Sequence, residues 1–388
     1  MHPLPLVTVP FVPEVVGNTL LLVGSFVLLL LGAEIFTNGV EWLGHRLGIS
    51  ESATGSILAA VGTALPETMI PVIAIVGFYL GSVGPEAKDE VGVGAILGAP
   101  FMLATIAMFL VGASVLWFSD RRSYGTEMHF NDVSTRRDLS FFLVGYSLAF
   151  LTALVEDQLV HYAIGALLVL LYVVYLYLSL RSGELIEDAG LDELHLGLII
   201  EEVLEPIPGP FPTRRYRADP TTLLVLVQTL FALGIIIGGA HLFVDEVQWA
   251  SREVLGIPAA VVALLLAPLA TELPEKFNSV LWISRDKDTL ALGNITGAMA
   301  FQGALPVTLG IVFTSWNLSL VWGTTGFLNG FSAVLAIVSG GILYLRARSA
   351  GEGPMHPRLF LLGGAFYLLF IAVLVYHVLV FDLSVTPH

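Results

Sequence analysis

The chain has 388 residues, 56% of them hydrophobic and only 13% charged, and its long apolar runs are typical of a polytopic membrane protein rather than of soluble domains. It has no cysteine, which excludes disulfides, thiol nucleophiles and cysteine metal sites. The formal net charge of −15 argues against nucleic acid as a partner and fits inorganic cations, although acidic solvated loops would explain it equally well.

Apolar runs of about 20 residues predict ten transmembrane helices. They lie near 15–41, 53–80, 92–117, 139–155, 160–181, 221–245, 258–284, 289–314, 320–346 and 358–381. No lysine or arginine precedes the first run, and no small-residue cleavage site follows it. We therefore interpret it as a retained span rather than a signal peptide.

The longest connection, 182–220, is acidic in its first half and rich in proline and arginine in its second half. This composition predicts a cytoplasmic surface linker that carries one amphipathic helix. We therefore divide the chain into a first five-helix unit at 1–181, the linker at 182–220 and a second five-helix unit at 221–388.

Lysine and arginine are unevenly divided between the two predicted sides of the membrane. One side carries Arg46, Arg121, Arg122, Arg136, Arg137, Arg181, Arg214, Arg215, Arg217, Arg285, Lys287, Arg346, Arg348 and Arg358, whereas the other carries only Lys88 and Arg252. Because basic residues accumulate in cytoplasmic loops, we expect both termini to lie outside. We expect the membrane to be the plasma membrane of a prokaryote.

The two five-helix units are related by sequence. GAEIFTNGVEWLGHRLGIS (32–50) aligns with GAHLFVDEVQWASREVLGIP (239–258), and VGVGAILGAPFML (91–103) aligns with LALGNITGAMAFQ (290–302). Between these stretches each copy reaches Leu-Pro-Glu, in GTALPET and ATELPEK. Because each unit has an odd number of spans, the second copy enters the membrane from the opposite side. Such inverted repeats are typical of secondary transporters with a site near the midplane.

The repeated Pro-Glu pairs place Glu67 and Glu275 in the middle of predicted spans. An ionised carboxylate at the membrane centre costs about 3 kcal/mol, so we expect both to face the bundle interior and to meet a cation. Pro66 and Pro274 cannot donate a backbone hydrogen bond to the carbonyl four residues earlier, which predicts a kinked or interrupted helix.

Thr63 and Thr271 lie four residues before the two glutamates. Two carboxylates, freed carbonyls and these hydroxyls form the all-oxygen environment that a hard cation such as Ca²⁺ requires. The alternative is a pair of protonated, hydrogen-bonded glutamates beside ordinary proline kinks. Repetition of the motif at equivalent positions favours the ion site.

These motifs resemble those of the calcium/cation antiporter superfamily, whose members have the sodium/calcium exchanger type of fold. The resemblance rests on GTALPE with ATELPE and on GAILGAPF with GNITGAMAFQ, and it extends over both repeats. It implies that Glu67 and Glu275 are the central ion-binding carboxylates and that Thr63 and Thr271 contribute carbonyl oxygens. It also implies that the first and sixth helices slide across the core to give alternating access.

The chain departs from the family pattern at several oxygen-bearing positions. The motif serines fall on Ala64, Ala99, Glu272 and Ala298, and the second-segment Asn/Asp positions fall on Leu103 and Gln302. Asn294 survives, so Asn294, Gln302 and Glu272 remain candidate ion ligands. The missing oxygens leave open whether the exchange uses Na⁺ or H⁺.

Glu272 and Lys276 occur only in the second copy. Their spacing of four residues predicts a salt bridge on one helix face. In a second interpretation, the ammonium acts as a tethered cation, or as a proton carrier, where the family would bind sodium.

Glu34 and His241 occupy equivalent places in the first and sixth helices, and both are candidate coupling or charge-compensating residues. His241 is either a proton-sensitive coupling element or a histidine that hydrogen-bonds to a neighbouring helix. Asp245 and Glu246 lie near the predicted outer end of the sixth helix, where we expect a solvated helix end.

Three classes of function compete for this sequence. A secondary antiporter would export Ca²⁺, or a similar divalent cation, against Na⁺ or H⁺, with the lipid bilayer as its surroundings and no cofactor. A passive cation channel is disfavoured because two buried carboxylates would hold a divalent ion tightly. An intramembrane hydrolase is disfavoured because the chain lacks His-Glu-x-x-His, Gly-x-Ser-x-Gly and a cysteine nucleophile. The sequence therefore predicts a transporter, not an enzyme, and leaves its oligomeric state open.

Overall fold

A computed structural model describes residues 12–46, 65–181, 193–204, 218–316, 318–350 and 355–381. Within these ranges the regular structure is helical. In chain order the helices are α1 Val12–Arg46, α2 Leu65–Tyr79, α3 Ala87–Trp117, α4 Asp132–Thr152, α5 Gln158–Arg181, α6 His195–Leu204, α7 Thr222–Trp249, α8 Ala259–Thr271, α9 Leu273–Ser284, α10 Asp288–Gln302, α11 Leu305–Phe313, α12 Thr325–Ala350 and α13 Leu361–Val380.

This order matches the ten predicted spans, with five before α6 and five after it. Seven spans in the described part of the chain are long and apolar enough to cross a membrane: α1, α3, α5, α7, α10 with α11, α12 and α13. The other three are α2, α4 and the α8–α9 pair. The predicted first part of the second span, 53–64, lies outside the described residues.

Two helices, α3 and α4, begin five or more residues earlier than the hydropathy predicted. The fourth span begins at Asp132 rather than 139, because the Asn131 side chain accepts hydrogen bonds from the backbone N–H groups of Val133 and Ser134 at 3.0 and 3.1 Å. A capped helix can begin with charged residues, whereas hydropathy assigns charged residues to the preceding loop. The third span begins at Ala87 with a π-helical turn and contains a second π turn at Leu103–Ala107.

Two spans of the second half are broken. The predicted break near Pro274 is confirmed, because α8 ends at Thr271 and α9 begins at Leu273. A second break, between Gln302 and Leu305, was not predicted. Its cause is Pro306, which cannot donate a hydrogen bond to the carbonyl of Gln302.

The centre of the molecule is formed by α3 and α8, which lie backbone to backbone. A Cβ atom at Gly94 would lie 2.2 Å from the Ala260 oxygen, and one at Gly98 would lie 2.3 Å from the Leu264 oxygen. Only glycine permits this approach, as in other small-residue helix contacts. In the most apolar stretch of each helix, 83% of the α3 residues are buried but only 28% of the α1 residues.

The first and sixth spans, α1 and α7, pack along each other at the edge of this centre. Gly32 lies against Ile236, and Gly39 lies against Thr229. Both helices expose many apolar side chains, including Leu20 and Phe231. They therefore form a pair that shares one hydrophobic cluster with α2, α3 and α8 on its inner side and has a broad apolar outer surface.

The predicted amphipathic helix of the linker is α6, and two buried polar side chains hold its first turn against α1 and α7. The Asn38 oxygen accepts from the His195 N–H at 3.2 Å, and the Gln228 oxygen accepts from the Leu196 N–H at 2.7 Å. The Gln228 amide also donates to Asn38 at 2.8 Å. We call these four residues the linker brace.

Candidate cation-binding site

The second Pro-Glu segment lies at the junction of α8 and α9. Glu272 is the single residue between the two helices, with φ −94° and ψ 6°. The backbone N–H of Glu272 donates to the backbone carbonyl of Pro268 at 3.1 Å. The backbone carbonyl of Glu272 accepts from the backbone N–H of Lys276 at 3.2 Å. Pro274 leaves the carbonyl of Ala270 without its usual helical donor. The chain therefore bends here and presents the C-terminal end of α8 to the interior.

Glu272 and Lys276 form the salt bridge that their spacing predicted. The Lys276 Nζ atom lies 2.8 Å from Glu272 Oε2 and 3.3 Å from the Pro268 oxygen. The side chains are only 2% and 4% exposed. The other carboxylate oxygen, Oε1, is buried and accepts no hydrogen bond from the described residues. The pair is thus a charged group of the protein interior and not a surface ion pair.

Of the two predicted ligands beside this pair, the structure describes the side chain of Thr271 but not that of Glu275. Thr271 is buried as the last residue of α8, and its hydroxyl donates to the Ala267 oxygen at 3.0 Å. Glu275 lies in the first turn of α9, but its side chain lies outside the described part of the chain. Among the described side chains, no group of three or more acidic or histidine residues is placed to hold a metal ion.

The first Pro-Glu segment opens the described part of α2. Glu67 lies in the first turn, directly after Pro66, and is 6% exposed. Thr63 lies outside the described residues. The helices α2, α3 and α8 share one hydrophobic cluster, which includes Ile70 of α2 and Ala267 of α8. The structure therefore brings the helix that carries Glu67 into contact with the helix that ends at Thr271.

Asn294 and Gln302 both lie on α10. The Asn294 amide donates to the Ser279 hydroxyl of α9 at 3.2 Å, and Ser279 donates to the Ala291 oxygen at 3.2 Å. Gln302 is buried at the end of α10, beside the break. Ser279 was not among the predicted site residues, although its position four residues after Glu275 on a helix indicates it.

Three of the positions where the family motif has oxygen-bearing side chains, Ala99, Leu103 and Ala298, are filled by apolar packing. Ala99 and Leu103 of α3 are buried, and Leu103 belongs to the large hydrophobic cluster around α3, with Ala298 packed against it. These side chains cannot coordinate a cation. The oxygen ligands that the sequence lacks at these positions are therefore replaced by side chains that pack in the hydrophobic core.

Glu34 and His241 have their charged partners away from the central helices. Glu34 is exposed and lies 3.5 Å from His195 of α6. His241 lies 3.6 Å from Asp245, one turn along the same helix. This contact lies within α7, and the two predicted roles of His241, a proton-sensitive coupling element or a hydrogen bond to a neighbouring helix, stay predictions.

The sequence did not indicate that Asp138 and Glu246 are buried. Asp138 of α4 accepts hydrogen bonds from the hydroxyls of Tyr175 at 3.1 Å and Thr296 at 2.8 Å. Glu246, expected at a solvated helix end, is only 7% exposed, whereas its neighbour Asp245 is exposed. The helical period could have separated these neighbours, because adjacent residues of a helix point about 100° apart.

Comparison with known proteins adds evidence from both sequence and fold. A family model described as "Sodium/calcium exchanger protein" matches residues 17–181 and 224–380. A putative antiporter, CaxA of Alkalimonas amylolytica, is 26% identical over 287 residues, which are 74% of this chain and 77% of that protein. The uncharacterized membrane protein MJ0091 of Methanocaldococcus jannaschii is 22% identical over 355 residues, 90% of this chain and 95% of that protein.

Solved structures with this fold include two exchangers. The crystal structure of the H⁺/Ca²⁺ exchanger CAX matches with a TM-score of 0.60 and 17% identity, covering 94% of this chain and 89% of that chain. The sodium-calcium exchanger NCX_Mj, soaked with Na⁺ and Sr²⁺, matches with a TM-score of 0.52 and 19% identity, covering 91% and 98%. These likenesses confirm the fold of ten membrane helices in two inverted repeats.

Proposed function

The chain belongs to the sodium/calcium exchanger family, and we propose that it exports Ca²⁺, or a similar divalent cation, in exchange for a monovalent cation. It is an integral membrane transporter of that family and not an enzyme. One observation carries the proposal. A Pro-Glu pair lies at a buried helix start in the first repeat and recurs at the α8–α9 break in the second.

The chemistry of these two segments suits a hard divalent ion. Glu67 is buried, and the bend at Glu272 exposes the end of a helix whose carbonyl dipoles favour positive charge. Ca²⁺ takes six to eight oxygens in flexible geometry, which carboxylates, freed carbonyls and threonine oxygens supply. We assign Glu67, Glu275, Thr63 and Thr271 as its ligands, with Asn294, Gln302 and Glu272 as further oxygen donors. The transported ions are substrates, and we propose no cofactor.

Alternating access would come from movement of α1 and α7 against the central helices. These two helices pack on each other through small residues and expose a broad apolar surface to lipid. The inner face of the pair packs on α2, α3 and α8 through apolar side chains. Such a pair can slide as one body, because its outer face exchanges only lipid contacts and its inner face makes mainly apolar contacts. The site would then open to one side of the membrane at a time.

Sodium is the counter-ion that we propose, and protons are the second candidate. Proton coupling is favoured by the apolar side chains at Ala99 and Leu103 and by the buried Lys276, since all three depart from an oxygen-rich sodium site. It is also the coupling named for the solved relative CAX. A flux measurement separates the two ions.

The test is calcium-45 uptake into proteoliposomes, driven in turn by an outward sodium gradient and by a proton gradient. The gradient that drives uptake identifies the counter-ion. We expect Glu67→Gln and Glu275→Gln each to lower uptake by about 100-fold or more, because even residues that only support metal ligands cost about 10- to 100-fold. Glu156→Gln, at an exposed position in the turn between α4 and α5, is the matched control and should transport normally. Absence of uptake under both gradients would sink the proposal.

We also propose that both termini lie outside the plasma membrane. The chain contains no cysteine, so single cysteines can be labelled without background. Ser82→Cys, between α2 and α3, should react with a membrane-impermeant maleimide in intact cells. Ser349→Cys, in the last turn of α12, should react only after lysis. Both positions are exposed, so the reverse pattern would invert the topology.

A further inference from the structure

The buried pair of Glu272 and Lys276 has no counterpart in the first repeat, where Ala64 and Thr68 stand. Burying an ion pair costs several kcal/mol per charge in desolvation, which mutual attraction repays only in good geometry. Stability alone is therefore a weak reason for this pair. Because the pair lies beside the proposed ligands Thr271 and Glu275, a role in transport explains it better.

The ammonium of Lys276 occupies a place suited to a free cation. It lies at the C-terminal end of α8, where the helix dipole favours positive charge, and it touches one carboxylate oxygen and the Pro268 carbonyl. The carbonyl of Ala270 lacks its usual donor because Pro274 has no N–H. Glu272 Oε1 is buried and also lacks a donor among the described residues. More oxygen atoms are thus available here than one ammonium uses.

We propose that Lys276 is a tethered cation that permanently fills a monovalent cation position formed by the Glu272 carboxylate and the C-terminal carbonyls of α8. The proposal rests on the proposed function, since it fixes the charge that the transported ions must balance. The carboxylates of Glu67, Glu272 and Glu275 together with one ammonium leave two negative charges. One divalent ion balances them, so the chain needs no sodium ion at the filled position.

A simple neutralising pair would behave differently when the ammonium is removed. Removing one partner of a buried pair leaves an uncompensated charge and destabilises the protein. If Lys276 only neutralises Glu272, that is the whole effect. If Lys276 fills a cation position, then sodium from solution takes its place and restores stability, because a ligand that binds the folded state stabilises it.

The experiment compares the wild type, Lys276→Met and the double variant Glu272→Gln/Lys276→Met in detergent, without calcium. Melting temperature is measured in a sodium titration against choline at constant ionic strength, and sodium-22 binding is measured at equilibrium. We expect Lys276→Met to bind more sodium than the wild type and to gain several degrees more than the wild type across the titration. The double variant has the same missing lysine but no buried carboxylate, so its sodium binding and its gain in melting temperature should not exceed those of the wild type.

Transport supplies the second readout. In proteoliposomes, calcium-45 exchange by Lys276→Met should rise at least about tenfold from sodium-free to sodium-saturated buffer, with no such rise in the double variant. If Lys276→Met does not fold in choline, its recovery on purification in sodium is the readout, and Lys276→Gln is measured in the same way. Equal responses of the single and double variants, or none in either, would overturn the tethered cation. The binding measurement needs no calcium transport, so it stands even if the proposed function fails.

Discussion

The two faces of the molecule are closed by equivalent residues in unequal ways. The repeat alignment makes Asp89, at the start of α3, equivalent to Asp288, at the start of α10. Asp288 is fully buried and accepts a bidentate pair of hydrogen bonds from Arg122 at 2.7 and 2.8 Å. Asp89 is 30% exposed and accepts one backbone hydrogen bond, from Ser315 at 2.8 Å. We call the side of the molecule that contains Asp288 the Arg122 face. We call the side that contains Asp89, where Arg252 pairs with Glu86, the Arg252 face.

The arginine on the Arg122 face is also more buried and makes more hydrogen bonds than the arginine on the Arg252 face. Arg122 also donates to the carbonyl oxygens of Ile283 and Glu127, which ties the loop after α3 to the turn between α9 and α10. On the opposite face, Arg252 pairs with Glu86, and both side chains are nearly half exposed. A repeated fold can therefore have one rigid face and one that opens at low cost. We expect the larger opening movement at the Arg252 face.

The strongest way to break this comparison is to remove each arginine. Arg122→Met leaves Asp288 buried without its cation, and losing one partner of a buried pair costs about 3 to 5 kcal/mol. Arg252→Met removes an exposed pair worth about 0 to 1 kcal/mol. We expect melting in detergent to fall by many degrees for Arg122→Met and to stay nearly unchanged for Arg252→Met. Equal losses would mean that the two faces are closed equally.

A smaller effect is expected at the linker brace, which exists only on the Arg122 face. The positions equivalent to Gln228 and Asn38 at the other end of the helix pair are Leu21 and Asp245, both exposed. Gln228→Leu removes the acceptor of the part-buried Leu196 N–H, at a cost of about 0.5 to 1.5 kcal/mol.

Hydrogen exchange measures this second effect directly. We expect the amides of α6 to lose protection in Gln228→Leu while those of α3 keep theirs. Asp245→Asn is the matched control and should leave both helices unchanged. Unaltered protection of α6 in Gln228→Leu would show that apolar contacts alone, such as those of Leu194 with Trp42 and Val225, hold the linker helix in place.

The sequence predicted those features that depend on neighbouring residues. Span number follows from apolar run length, the break before Glu275 follows from the missing N–H of Pro274, and the Glu272–Lys276 pair follows from helical spacing. The break after Gln302 was open to the same reasoning through Pro306. Each of these causes acts within one turn of a helix, so no knowledge of the packing is needed.

Features that depend on distant residues could not be predicted in this way. Arg122 appeared only as one of many basic loop residues, and nothing near it in sequence points to Asp288, which lies 166 positions away. Asp138 lies just outside the predicted span at 139–155, yet hydrogen bonds from Tyr175 and Thr296 make it a buried acceptor. Glu34 and His241 are equivalent in the repeat, but packing places each beside a different partner. Burial and partner choice are set by how the helices pack, which composition and spacing do not specify.

The smallest expected effect concerns pH and sharpens the same comparison, because Asp286 of the Arg122 face corresponds to Ala87 on the other face. Burial would raise the pKa of the Asp286 carboxyl, but hydrogen bonds from Ser123 and the nearby Arg122 guanidinium outweigh it and lower the pKa below its usual 3.8. A lowered pKa in the folded state adds stability that is complete above the usual value and is lost as pH falls through the folded value. The Arg122 face should therefore weaken below about pH 4.

Asp286→Asn isolates this contribution. Asp286 has φ 59°, a left-handed conformation that asparagine also tolerates, so the substitution removes the charge without straining the backbone. We expect the variant to melt slightly below the wild type at neutral pH and to approach it as the pH falls below about 4, where the wild-type carboxyl also becomes neutral. A constant difference between the two melting curves from neutral to acid pH would contradict the electrostatic origin, since a purely steric loss does not titrate.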